Sequence, residues 1–119
     1  MRESVIFAVR GILLSDNDSI KNAISGIQDV MVITDSGDGF YKDGSFIQHD
    51  NIPYNCGYGR SLIQELAPML YIFKDTEFEN KNTDIINTWI EKSYLPFIYN
   101  GRTMDMVRGR EISRYYEQS

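Results

Sequence analysis

The sequence predicts an all-α protein with about four main helices and one long ordered loop. Three observations carry this. Four stretches repeat apolar residues at spacings of three and four. No segment alternates convincingly as a half-buried strand does. Between the second and third helical stretches, Gly37 to Gly59 follows neither period. That segment holds five of the nine glycines, the only histidine, His49, and the only cysteine, Cys56.

The first helix is expected over residues 3–14, with Val5, Ile6, Val9, Ile12 and Leu13 as its apolar stripe. It begins almost at residue 1, as in a segment cut from something longer. The opening MRESVIFAVRGILL is helix-periodic and lacks a small-residue cleavage site, so it does not read as a signal peptide. SDNDS, residues 15–19, is a turn rich in N-cap residues. The second helix is expected from Ser19 to Thr34. Its apolar positions Ile20, Ala23, Ile24, Ile27, Val30 and Met31 form one stripe, read as core packing.

The stretch from Gly37 to Gly59 follows. Loops of that length in a compact chain are usually functional or disordered. Phe40, Tyr41, Phe46, Ile47, Ile52, Tyr54 and Tyr58 argue against disorder, which leaves a site-bearing loop. Tyr58 to Phe73 reads as the third helix, with Leu62, Ile63, Leu66, Leu70 and Phe73 inward and a kink or break at Pro68. After the polar KDTEFENKNT, Asn82 or Thr83 should cap a fourth helix running to about Tyr94. It would bury Ile86, Trp89, Ile90 and Phe97, and Pro96 would end or bend it. Tyr99-Asn100-Gly101 is a turn, and MDMVRGREISR is a short helix or an ordered loop.

At 119 residues the chain is at most one small domain, and its composition, 42% hydrophobic and 24% charged, is that of a folded protein. No apolar run approaches a membrane span, so no membrane partner is expected. One cysteine makes no intramolecular disulfide. A net charge of −5 argues against nucleic acid. The charge is uneven, however: four arginines lie between Arg102 and Arg114 against Asp105 and Glu111, so an anion can still be bound locally.

Two groups of residues are candidates for chemistry. A lone histidine is more often structural or merely exposed. His49, however, sits among aromatic residues, with Tyr58 nine residues later, and an imidazole exchanges protons near neutral pH. Arg108, Arg110 and Arg114 form the second group. Arg110 and Arg114 share one face if that segment is helical. Arginines so placed recognise carboxylates bidentately and favour a tyrosinate nearby; the plain alternative is a solvated basic face. Asp35, Asp38 and Asp43 lack the register of a calcium loop, and Cys56 with His49 supplies too few ligands for zinc. No metal or cofactor is expected. A Cys56 nucleophile has no local support, and a small buried cysteine is the simpler reading.

DGFYKDGSFIQHDNIPYNCGYG, followed by a helix with Trp89 and then NGRTMDMVRGREISR, resembles the family-8 polysaccharide lyases. That family includes bacterial hyaluronate lyase, chondroitin AC lyase and xanthan lyase, and the overall likeness leans to the first. It covers essentially the whole chain and is most specific in blocks 38–59 and 100–114. The resemblance implies that residues 1–119 are a partial catalytic domain, a slice of an incomplete toroid of paired helices from a much longer, secreted enzyme. It implies catalytic roles for His49 and Tyr58, with Arg110 beside them. Arg114, Arg108, Tyr54 and Trp89 are expected to bind substrate, with Phe40 and Tyr41 as further aromatics that could stack on sugar rings. The implied partners are an anionic polysaccharide, hyaluronan or chondroitin, and the remainder of the lyase chain. The implied reaction is β-elimination at a uronic acid. Two departures stand out. The family's catalytic asparagine lies in an upstream motif with no match here, and Cys56 stands where a glycine or alanine is usual. An inactive remnant that at most binds the glycan is the alternative.

Overall fold

The computed structural model describes residues 2–114, which form two compact units. One comprises residues 2–32 with 62–83, the other 33–61 with 84–114.

In the first unit, helices α1 (Arg2–Leu14) and α2 (Asn17–Val30) pack against each other. Asp16 caps α2 by accepting from the backbone N–H of Asp18 at 3.1 Å and of Ser19 at 3.4 Å, and from the Ser19 hydroxyl at 2.6 Å. These bonds hold the Asp16 carboxyl below its usual range, the Ser19 hydroxyl contributing most. The expected α2 stripe is in the core: Ile20, Ala23, Ile27 and Met31 are buried.

The α1 stripe is not where periodicity placed it. The side facing α2 is made of small residues, with Ala8 and Gly11 buried and Ser4 partly so. A Cβ at Gly11 would lie 2.6 Å from Ile20 Cγ1, and one at Gly26 2.5 Å from Ser4 Oγ, so the helices meet at backbone distance. Ile6, Val9, Ile12 and Leu13 are therefore left exposed, Leu13 at 78%. An apolar face of this kind associates in water. The purified chain is expected to run above its monomer mass in light scattering coupled to size exclusion, and Ile6→Lys with Leu13→Glu should restore the monomer. A wild-type monomer at all concentrations would contradict this.

Helix α3 (Arg60–Phe73) runs through Pro68 without a break. Pro68 removes a bond to the Gln64 carbonyl, but both residues are exposed, so water can take it. Leu66, Met69 and Phe73 are buried; Met69 was not foreseen.

The second unit departs furthest from an all-helical expectation, since three short strands lie within the expected loop and a fourth just before it. Strands β1 (Ile33–Thr34), β2 (Gly39–Tyr41), β3 (Phe46–Gln48) and β4 (Ile52–Pro53) form a sheet in that order. β1 pairs parallel with β2, and the others pair antiparallel. Strands of two or three residues are too short to show an alternation. α2 stops at Val30 because the β-branched Val32-Ile33-Thr34 suits an extended backbone. Beneath the sheet, Phe40 stacks on Trp89 of α4 (Asp84–Ser93) at 4.3 Å and meets Phe46 edge-on at 4.7 Å. Ile90, expected inward, is exposed. β5 (Ile98–Tyr99) and β6 (Arg102–Thr103) form a hairpin whose tip, Asn100-Gly101, takes the positive φ angles of 51° and 74° that an Asn-Gly hairpin turn requires.

Asn55, which no sequence pattern singled out, holds this unit together. It is fully buried. Its Oδ1 accepts from the Phe46 N–H at 3.0 Å, and its Nδ2 donates to the carbonyls of Gly44 and Ser93, each at 2.9 Å. One side chain thereby joins β3, the β2–β3 turn and the end of α4.

Candidate active site

The candidate residues come from three local structures of the second unit. His49 is at the tip of the β3–β4 hairpin, Tyr58 in a π-helical turn (Asn55–Gly59) that leads into α3, and Arg110 in a 3-10 segment (Gly109–Ser113). π-turns are rare and are frequently found at functional sites.

His49 and Asp50 both take left-handed backbone, with φ of 55° and 68°. This conformation costs about 1–3 kcal/mol per non-glycine residue unless the surroundings hold it. Asp38 supplies that hold from both sides of the histidine. Its carboxylate accepts from the Gln48 side chain at 2.6 Å and from the Asp50 N–H at 3.1 Å. The sequence presents Asp38 only as a candidate metal ligand; its role at the hairpin depends on pairing that the sequence does not display.

Arg110 Nη2 donates to Tyr58 Oη at 3.2 Å. The His49 ring stands edge-on to Tyr58 with centroids 5.5 Å apart. Three residues spread over 62 positions (Arg110 minus His49, inclusive) are thus brought together. Tyr58 is 39% exposed and Arg110 is exposed, so the hydroxyl and the guanidinium are open to a ligand. The Arg110 guanidinium is held above its usual range, first by the Tyr54 hydroxyl and then by Tyr58, so it stays a cation at any relevant pH. A fixed cation at a phenol oxygen, beside an imidazole, is suited to moving a proton and to receiving an anionic substrate.

The remaining expected residues separate. Tyr54 is 1% exposed, and its ring lies 4.9 Å from that of Tyr58 and 6.4 Å from that of His49. It belongs to the cluster but lies beneath its surface. Arg108 is buried, and its guanidinium is committed: Nη1 to Asp105 Oδ1 at 2.9 Å, Nη2 to the carbonyls of Glu111 and Arg114 at 3.0 Å. It ties its own segment together instead of reaching a sugar. Trp89, 2% exposed, stacks on Phe40, so neither ring has a face free for a glycan. Helical spacing showed Trp89 on an inward face, and burial decided its use. Arg114 ends the 3-10 segment and is exposed.

Cys56 is buried and its sulfur accepts a hydrogen bond from the Thr103 side chain; it is not paired with His49. Burial pushes its thiol up. The thiolate is the reactive form, so the folded chain should alkylate slowly with iodoacetamide and rapidly once urea unfolds it. Because the folded value is the higher, the associated stability is present below the unfolded thiol's pKa of roughly 8.5 and is lost as pH rises through the folded value. Equal labelling rates in the two states would refute the burial.

Residues 4–119 match polysaccharide lyase family 8, N-terminal alpha-helical domain. The chain is 40% identical over 114 residues to a hyaluronate lyase of Thermasporomyces composti, covering 94% of this chain and 15% of that protein. It is 36% identical to a xanthan lyase of Bacillus sp. (strain GL1), covering 98% of this chain and 13% of that protein. Among solved structures, a Paenibacillus xanthan lyase superposes with a TM-score of 0.89 at 42% identity, over 97% of this chain and 11% of that one. A Streptomyces coelicolor A3 chondroitin AC lyase, solved in complex with chondroitin sulphate, superposes with a TM-score of 0.84 at 33% identity, over 91% of this chain and 15% of that one. The chain therefore spans about one-seventh of the length of the first curated relatives it matches. With the family matched along nearly its whole length, the chain belongs to polysaccharide lyase family 8, in its N-terminal α-helical domain.

Proposed function

We propose that this chain carries part of the active site of a lyase that cleaves a uronic-acid-containing glycosaminoglycan, such as hyaluronan or chondroitin, by β-elimination. The observation that supports this most is the convergence of His49, Tyr58 and Arg110, with the 3.2 Å bond from guanidinium to phenol. In this reading a base removes the proton at C5 of the uronate, next to the carboxylate. The electron pair forms the C4–C5 double bond, and the C4–O bond breaks as the leaving oxygen takes a proton. Tyr58 donates that proton. His49 takes the C5 proton or steadies the charge that develops as it leaves, and Tyr58 is the alternative base. Arg110 and Arg114 hold the anionic sugar. Tyr54, whose hydroxyl acts on Arg110, sits beneath the same surface.

By its family resemblance the enzyme is proposed to be secreted. The remainder of its catalytic domain, proposed to be a helical toroid, would complete the cleft. The second reading is a chain that binds the glycan without turning it over. A partial site loses geometry steeply.

The test follows the ultraviolet absorbance of the conjugated unsaturated uronate. An enzyme carrying this chain should produce it from hyaluronan or chondroitin, and the 119 residues alone should produce little or none. Cleavage by the enzyme without any rise in absorbance would replace elimination with hydrolysis. Robust turnover by the 119 residues would show that this part of the site suffices by itself.

A further inference from the structure

Tyr54 lies under the candidate site in a slot made by two glycines. A Cβ added at Gly57 would overlap the Cδ1–Cε1 edge of its ring, and one added at Gly109 would overlap the opposite Cδ2–Cε2 edge. Each glycine immediately precedes a site residue, Gly57 before Tyr58 and Gly109 before Arg110. Gly109 also takes a φ of 54°, which a side chain rarely adopts. The same ring meets Tyr58 edge-on with an interplanar angle of 79° and His49 with one of 67°. It is 1% exposed and so has no place to swing away to.

We infer that Tyr54 is the positioning residue of this site: its buried ring is the spacer that sets the separation of the Tyr58 and Arg110 backbones and seats the His49 ring. A side chain with no spare volume around it transmits its own position to whatever touches it. Here it touches the two glycine backbones that carry the phenol and the guanidinium, and the imidazole itself. Two requirements follow. The site needs a planar six-membered ring at position 54, and it needs residues without a Cβ at positions 57 and 109. The ring does the spacing. The Tyr54 hydroxyl, which hydrogen-bonds Arg110 and favours its charged form, contributes orientation but no distance.

This inference rests on reading His49, Tyr58 and Arg110 as the active site, but its test is independent of turnover. The full 119-residue chain, with 13C at tyrosine Cζ and 15N in histidine, is compared by NMR with Tyr54→Phe, Tyr54→Leu and Gly109→Ala. The Trp89 indole N–H resonance reports an intact core in each. Tyr54→Phe should leave the His49 and Tyr58 resonances near their wild-type positions. Tyr54→Leu should displace the His49 and Tyr58 resonances and return the Tyr58 Cζ resonance toward that of a free tyrosine. Gly109→Ala, which keeps Tyr54 but pushes its ring, should displace the same resonances, and it stands as the deciding variant if Tyr54→Leu disturbs Trp89. Unmoved His49 and Tyr58 resonances in Gly109→Ala, or in Tyr54→Leu with Trp89 intact, would overturn the inference. So would Tyr54→Phe shifting them as far as Tyr54→Leu, because the hydroxyl and not the ring would then be the operative group. The kinetics of Tyr58→Phe test the reaction separately, so failure of the spacer and failure of the proposed function give different results.

Discussion

Tyr58→Phe, made in an enzyme carrying this chain, is expected to lower kcat by about 10²–10⁴, the span of general acid–base groups, and to change KM little. The substitution keeps the ring and its edge contacts with Tyr54 and His49, so the packing survives. It removes the phenol oxygen that Arg110 holds at 3.2 Å, and with it the proton proposed for the leaving oxygen. That proton is needed only as the C4–O bond breaks, so the loss should appear in kcat. His49→Ala should also lower kcat. Arg110→Ala should instead raise KM, since an exposed cation proposed to hold an anionic sugar acts in binding as well as in the transition state. A Tyr58→Phe enzyme with near-normal kcat, beside an inactive His49→Ala enzyme, would transfer both proton movements to His49 and a water.

Asn55→Ala should cost the second unit about 2–4 kcal/mol, because buried polar groups left without a partner cost about 1–3 kcal/mol each and some of them will be reached by water. The substitution leaves the Phe46 N–H and the Gly44 and Ser93 carbonyls without the side chain that now bonds all three. Asn55→Asp is the sharper variant. It is nearly isosteric and keeps the acceptor for Phe46, but it turns a carboxylate oxygen toward two carbonyls. That carboxyl would titrate above its unfolded value. The variant should therefore be closest to wild type at pH below the unfolded carboxyl's pKa, and should lose stability as pH rises through the folded value. Urea unfolding followed by the fluorescence of Trp89 reads both variants. A loss below about 1 kcal/mol for Asn55→Ala would mean that the three groups are satisfied without the asparagine.

Much of the site was legible in one dimension. His49, Tyr58 and Arg110 were chosen from residue chemistry and from blocks resembling a lyase family, and the fold brings them together. Asp38 and Asn55 were not found, for a common reason. Asp38 acts on the Gln48 side chain and the Asp50 N–H, 10 and 12 residues away, and Asn55 on backbone groups 9, 11 and 38 residues away, and such bonds leave no period and no motif in the chain. An exposed aspartate and an asparagine in a loop look alike whether or not they hold a hairpin in place.

The sequence by itself determined the four helices, the core stripe of α2, the ordered character of Gly37–Gly59 and the types of residue at the site. These are local properties: helical period, capping, turn chemistry and aromatic content act within a few residues. Only the tertiary structure decided which face of α1 is covered, that short strands pair within the expected loop, and that Trp89 and Arg108 are buried while Tyr58 and Arg110 are open. Periodicity reports that a helix has two unlike faces. Which face is covered depends on the closeness of the neighbour, and at Ala8 and Gly11 small size allowed α2 nearer than any stripe of large residues would.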